Sequence, residues 1–318
     1  MTVGQSEVSA MVFVVLIVIL WLFISYIIYR IGFYTPIRMQ KESLNMDNNP
    51  NPSEIDKKVI KWCHELESTP YEHVETVSFD GLRLCGRYYH EKEGSPLLIG
   101  FHGYRGKPSW DFSCGAKMYQ GMGFNVLLIE ERGHCSCEGH TITFGIKERR
   151  DCITWIEYAN NRFGDKTNII IAGISMGAAT VLMAANLGLP ENVKGIIADC
   201  PFSSPAAIIN KVTQKDLKIP AMLAYPFTWT AAAFYGNFIL DEASALESVR
   251  STPVPILLIH GEADDFVPTE MSRQIHDANP SMIEFHTFPE AGHGHSCVVD
   301  PERYKKIIYS FTSRVLSS

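Results

Sequence analysis

The sequence predicts an α/β domain built on a mostly parallel sheet and preceded by one membrane-spanning helix. Two observations predict the domain. After residue 70, short apolar runs alternate with longer helical patterns, and several of those runs are too uniformly apolar to keep a wet face, as parallel strands covered on both sides are. A third observation predicts the helix: residues 10–29 read AMVFVVLIVILWLFISYIIY, with no charge, Pro or Gly.

Those 20 residues, at about 1.5 Å each, cover the ~30 Å hydrocarbon layer of a bilayer. A cleaved signal peptide needs a basic start and a shorter apolar core, whereas residues 1–9 hold Glu7 and no Lys or Arg. Anchoring is the expectation. Trp21, Tyr26, Tyr29 and Tyr34 gather towards the carboxyl end, where amphipathic rings suit lipid headgroups. Arg30, Arg38 and Lys41 follow that end, so the positive-inside rule places the remainder of the chain in the cytoplasm and the amino terminus outside. The expected division is an anchor over residues 1–40, an Asn- and Pro-rich linker over 41–54, and a globular domain over 55–318.

Composition supports a globular domain. Of the 318 residues, 46% are hydrophobic and 20% charged, far from the profile of a disordered chain. The net charge of −7 and the scattered basic residues exclude a nucleic-acid surface, and no Walker or GxGxxG loop is present. Eight cysteines at positions 63, 85, 114, 135, 137, 152, 200 and 297 are irregularly spaced and read as free thiols, in keeping with a cytoplasmic domain. The segment His134-Cys135-Ser136-Cys137-Glu138-Gly139-His140 lacks the distant second ligand pair of a zinc site and reads as a loop.

Within the domain, Ser53-Glu54-Ile55-Asp56 has the spacing of a capping box, and Ile55, Val59, Ile60 and Cys63 continue it as an amphipathic helix. His73–Phe79 and Leu82–Tyr89 flank Asp80-Gly81 and form a hairpin. Six further strands are expected at Pro96–Phe101, Phe124–Ile129, Asn168–Ala172, Val193–Ala198, Ile256–Ile259 and Ile283–Phe288, making eight, with helices at Ile146–Phe163 and Met176–Leu187 between them. Residues 202–247 break the alternation with prolines and aromatics, and are expected to form a small helical cap.

The chemistry lies in the turn after Asn168–Ala172. There Gly173-Ile174-Ser175-Met176-Gly177 joins a strand directly to a helix, the context in which GxSxG becomes a nucleophile elbow. Ser175 is the expected nucleophile. A serine needs a histidine to take its proton and an acid to orient that histidine, and both are sought downstream in the order Ser, acid, His. The strand ending at Ile259 runs into His260-Gly261-Glu262-Ala263-Asp264-Asp265, which offers carboxylates at a strand's carboxyl end, and Ala291-Gly292-His293-Gly294-His295 follows the next strand.

These residues resemble the α/β-hydrolase superfamily over about residues 70–315, and more narrowly its BEM46-like membrane-anchored hydrolases. The resemblance rests on His102-Gly103-Tyr104-Arg105-Gly106, Thr143-Phe144-Gly145, the elbow, and His260-Gly261-Glu262-Ala263-Asp264 with Val267-Pro268. It implies Asp264 as the acid, His293 as the base, and the backbone N–H groups of Tyr104 and Met176 as the oxyanion hole. It also implies an eight-stranded α/β-hydrolase fold. Asp265, Asp199 and His295 stay as rivals, whereas His102, His134 and His260 read as structural. The chain departs from the family where Cys135 and Cys137 replace a Gly and a Ser in the loop after Arg132.

The expected activity is that of a membrane-tethered serine hydrolase of the esterase, lipase or peptidase kind. It cleaves an ester, thioester or amide through an acyl-enzyme, with no cofactor and no metal, on a small-molecule or lipid-like acyl substrate. The same triad would also serve an acyltransferase, and a non-catalytic binding module is the alternative from another class.

Overall fold

The structure, a computed structural model, describes residues 3–36 and 51–317. Most of the expected linker, with Arg38 and Lys41, lies outside the described residues.

Helix α1 (Val3–Gly32) contains the apolar run and is long and apolar enough to cross a membrane. Helix α2 (Glu54–Glu67) opens with the expected capping box: the Asp56 N–H donates to the Ser53 hydroxyl at 3.1 Å, and the Ser53 N–H donates to the Asp56 carboxylate at 2.8 Å. Its Val59, Cys63 and Leu66 turn inward.

Eight strands follow: β1 (Glu72–Val77), β2 (Arg83–Tyr89), β3 (Leu97–Phe101), β4 (Asn125–Glu130), β5 (Ile169–Ile174), β6 (Val193–Asp199), β7 (Ile256–Gly261) and β8 (Ile283–Phe288). They form one sheet in the order β1-β2-β4-β3-β5-β6-β7-β8. β2 is antiparallel to both β1 and β4, and every other pairing is parallel. Alternation along the strands feeds two cores on opposite faces of the sheet. Leu97, Ile99 and Phe101 join Trp155 and Met183 in one, and Leu98 joins Phe112 and Phe311 in the other. A sheet covered on both faces is why β3, β4 and β7 are wholly buried and read as unbroken apolar runs.

The covering helices are α3 (Pro108–Asp111), α4 (Gly115–Gly121), α5 (Glu148–Phe163), α6 (Met176–Ala184), α7 (Pro205–Lys211), α8 (Ala221–Thr230), α9 (Ala245–Ser248), α10 (Thr269–Ala278), α11 (Ser296–Val299) and α12 (Pro301–Leu316). α7, α8 and α9 lie in an insert between β6 and β7 that adds no strand, and wide π-turns at Val212–Asp216 and Ala231–Tyr235 interrupt it.

The end of α1 is packed differently from the expected free-standing anchor. Ser25, Tyr29 and Phe33 recur every four residues on one buried stripe. Phe33, 2% exposed, enters the main core between Phe144 and Phe238, with ring centroids at 5.6 and 5.4 Å. The backbone then pairs with the 140–142 segment: the Thr35 N–H donates to the His140 carbonyl at 2.8 Å, and the Ile142 N–H to the Phe33 carbonyl at 2.8 Å. Contact with the domain thus begins well before residue 40. The aromatics expected at the headgroups also touch protein, since Trp21 stacks on Phe227 at 4.0 Å and Tyr29 on Tyr235 at 6.0 Å.

Candidate active site

Ser175 stands between the last residue of β5 and the first of α6, at φ 56° and ψ −115°. An L-residue pays for that left-handed φ with strain of order 1–3 kcal/mol, and the neighbouring glycines make the turn passable. A Cβ on Gly173 would lie 2.2 Å from the Gly177 carbonyl carbon, and one on Gly177 would lie 2.1 Å from the Phe101 oxygen. The Ser175 N–H donates to the Asp199 carbonyl at 2.9 Å, tying the turn to the neighbouring strand.

β7 and β8 bring the other two groups to the same rim. Past β7, Asp264 Oδ1 accepts the N–H groups of Phe266 and Val267 at 2.9 and 2.8 Å, which fixes the carboxylate. Past β8, His293 bridges: its Nδ1 meets Asp264 Oδ2 at 2.7 Å, and its Nε2 meets Ser175 Oγ at 2.8 Å. Burial of Asp264 opposes ionisation, but hydrogen bonds from His260 and His293 and the Val267 N–H outweigh it. The carboxyl is held well below the usual carboxylate range. An ionised acid against Nδ1 favours the tautomer whose Nε2 can accept the serine proton.

The rivals Asp265, Asp199 and His295 make no hydrogen bond to Ser175 Oγ or to the His293 ring among the described residues. Asp265 is exposed, and its carbonyl accepts from Lys215. Asp199 is buried against Ser296 at 3.3 Å, and burial pushes its carboxyl up to about 6. His295 precedes α11. His260 is buried, bonded to Ser272 at 2.6 Å and to the Val267 carbonyl at 2.9 Å.

The segment after β3 passes against Ser175, since a Cβ on Gly103 would be 3.3 Å from the Ser175 Cβ. Met176, first in α6, has an N–H with no intrahelical acceptor, and the Tyr104 N–H has no acceptor among the described residues. Two of the three histidines expected to be structural hold this loop. His102 lies 2.8 Å from the Gly103 carbonyl through Nδ1 and accepts the Glu131 N–H through Nε2 at 3.1 Å. His134 accepts the Arg105 N–H at 3.0 Å. The divergent loop after Arg132 is thereby structural: Arg132 itself pairs with both Asp151 and Asp80.

Asp111 was not legible in the sequence. Its carboxylate accepts the Gly103 N–H, and burial pushes it up to about 6 against the pull of that N–H and of His293. It faces a pocket of about 330 Å³ beside Ser175, lined also by Trp110, Tyr119, Ile174, Phe266 and Val298.

Cys114 and Cys297, expected to be free, border the same pocket and form a disulfide across 183 positions. It staples the segment after Asp111 to the helix after His293, and it removes the cysteine argument for a cytoplasmic domain. The other six cysteines form no disulfide among the described residues. Donor atoms of Cys85, Glu130 and Cys137 lie within 4.8 Å of one another, but Glu130 already pairs with Arg87 at 3.2 Å and with Ser136.

Comparison with known proteins agrees with this architecture. The chain is 23% identical over 201 residues to the uncharacterised protein YqkD of Bacillus subtilis, a match covering 63% of this chain and 66% of that protein. Among solved structures it resembles the Pyrococcus furiosus esterase Pf2001, with TM-score 0.63, 22% identity, and coverage of 79% of this chain and 94% of that one. It also resembles the Pyrococcus horikoshii acylaminoacyl peptidase, with TM-score 0.56, 19% identity, and coverage of 80% and 42%. These likenesses show the α/β-hydrolase fold. They reach the superfamily and not the narrower BEM46-like group. The sequence profile of the prolyl oligopeptidase family matches residues 110–318; the chain belongs to that family and is a serine hydrolase of the α/β-hydrolase superfamily.

Proposed function

We propose that Ser175, His293 and Asp264 form a catalytic triad that cleaves an ester, thioester or amide through an acyl-enzyme. The observation that carries this is the single imidazole bridging Ser175 Oγ at 2.8 Å and Asp264 at 2.7 Å. Ser175 Oγ attacks the carbonyl carbon while its proton passes to His293 Nε2. The tetrahedral oxyanion is met by the N–H groups of Tyr104 and Met176, and its collapse expels the leaving group with the proton from His293. Water then repeats the sequence on the acyl-enzyme. The 330 Å³ pocket beside Ser175 suits a compact acyl or acyl-aminoacyl group.

In the same reading α1 tethers the enzyme to a membrane, residues 202–247 act as a cap, and Arg30 begins the basic flank that places the domain in the cytoplasm. The Cys114–Cys297 disulfide favours an oxidising compartment instead. Labelling of intact cells by a membrane-impermeant amine reagent decides between them, because protection of the domain supports the first and ready labelling the second.

A fluorophosphonate probe tests the triad. The folded enzyme is expected to form one adduct on Ser175, lost in Ser175→Ala and slowed about 10⁴-fold or more in His293→Ala. An adduct that persists in Ser175→Ala, or forms as fast in His293→Ala, overturns the proposal.

A further inference from the structure

The insert carries a second unusual feature, independent of the catalytic residues. From Ile219 to Leu240 the chain holds no Asp, Glu, Lys, Arg or His, a stretch long enough to expect burial. Yet much of it faces outward: Met222 is 83% exposed, Phe234 69% and Leu223 58%, with Ile219 and Trp229 also open, and Leu217 just before it is 61% exposed. Monomeric soluble proteins rarely expose so many large apolar side chains close together.

Its position relative to α1 names what covers it. The Trp21 ring stacks on Phe227, and its Nε1 donates to Thr230 Oγ1 at 3.1 Å. One step further along both chains, the Tyr235 hydroxyl donates to the Leu22 carbonyl at 3.0 Å, and Tyr26 meets Tyr235 edge-on at 5.4 Å. α8 therefore runs beside α1 in the same direction, at the level of Trp21. That level is where α1 changes character, for residues 7–20 are all exposed, whereas Trp21 and Leu22 are half-buried and Trp21 stacks on the insert. If residues 7–20 lie in lipid, the bilayer surface meets the protein at Trp21, and α8 lies against it. Lys215 and Lys218 precede the uncharged stretch and Asp241 and Glu242 follow it, so charge brackets the apolar segment.

We propose that residues 217–234 seat the hydrolase domain on the phospholipid leaflet beside α1, with Leu217, Met222, Leu223, Trp229 and Phe234 at the boundary between headgroups and acyl chains. This rests on the reading of α1 as a membrane span. The seat adjoins the pocket: Lys211 at the foot of the insert lies over the Phe266 ring at 5.1 Å, and Phe266 packs edge-on to His293 at 5.0 Å.

The test uses the full chain in vesicles of phosphatidylcholine and phosphatidylglycerol, with a photoreactive diazirine residue placed singly at Met222, at Phe13 in α1, or at exposed Tyr309 on α12. These sites are open, so the substitutions leave the core intact. Lipid adducts at Met222 are expected within about threefold of those at Phe13 and at least ~tenfold above those at Tyr309. Adducts at Phe13 with only background at Met222 overturn the seat and leave the anchor standing. Background at Phe13 overturns the anchor, and the seat with it.

Discussion

The two halves of α1 share one unbroken helix, but they meet different surroundings. Residues 7–20 are all exposed, whereas Ser25, Tyr29 and Phe33 are buried and residues 33–35 pair with the 140–142 segment. The first half presents apolar side chains on every side. The second is a structural element of the hydrolase. Hydropathy measures only the preference for leaving water, so it gives the same value to a side chain facing lipid and to one facing a protein core.

Truncation tests that contrast most severely. Removing residues 1–20 is expected to leave the thermal midpoint of the detergent-solubilised enzyme nearly unchanged, because those side chains bury nothing. Removing residues 1–36 uncovers the site of Phe33 and Tyr29 and is expected to cost about 3 kcal/mol or more, a midpoint fall of roughly 6 °C or more for a domain of this size. Differential scanning calorimetry on the two proteins reads the difference. Equal midpoints would break the comparison.

A single side chain sharpens it. Phe33→Ala empties a core position and is expected to cost about 3 kcal/mol in urea unfolding, the low end for a buried phenylalanine. Phe13→Ala, the same change in the exposed half, is expected to cost under about 0.5 kcal/mol. A loss at Phe13 comparable to that at Phe33 would mean that the outer half is also packed against the domain.

The same physical distinction explains what was legible in the sequence. The elbow could be read because strand, strained serine and helix are consecutive residues, and the crowding that demands Gly173 and Gly177 is settled within a few positions of Ser175. Asp264 and His293 could be read because each follows an apolar strand at its carboxyl end, where a parallel sheet gathers its loops. The strands were found with ends shifted by a residue or two; β5, for example, continues to Ile174. The hidden features are those made by tertiary contact alone. Nothing near Asp111 announces that its carboxylate holds the Gly103 N–H, and no spacing rule pairs Cys114 with Cys297 over 183 positions. In α1 nothing in the apolar run marks Ser25, Tyr29 and Phe33 as the stripe that is buried.

The mildest test concerns the bond between the docked half of α1 and the proposed oxyanion loop. The Tyr104 hydroxyl donates to the Gly32 carbonyl at 2.9 Å, and Arg105 donates to the Ile31 carbonyl at 2.6 Å, so the end of the helix holds the loop whose Tyr104 N–H would face the oxyanion. Tyr104→Phe keeps the ring stacked on Phe144 at 5.1 Å and keeps the backbone N–H, and it removes only the hydroxyl. The loss in stability is expected to be about 1 kcal/mol, the net worth of one neutral hydrogen bond. If the helix end positions the loop, kcat on a soluble ester falls by about two- to fivefold with KM little changed, because an oxyanion donor acts on the transition state and not on bound substrate. In the protein lacking residues 1–36 the hydroxyl has already lost its partner, so the same substitution is expected to change kcat by less than about 1.5-fold. An equal effect in both backgrounds would show that Tyr104 acts on the site without help from α1, and would leave the docked half as a stabilising element alone.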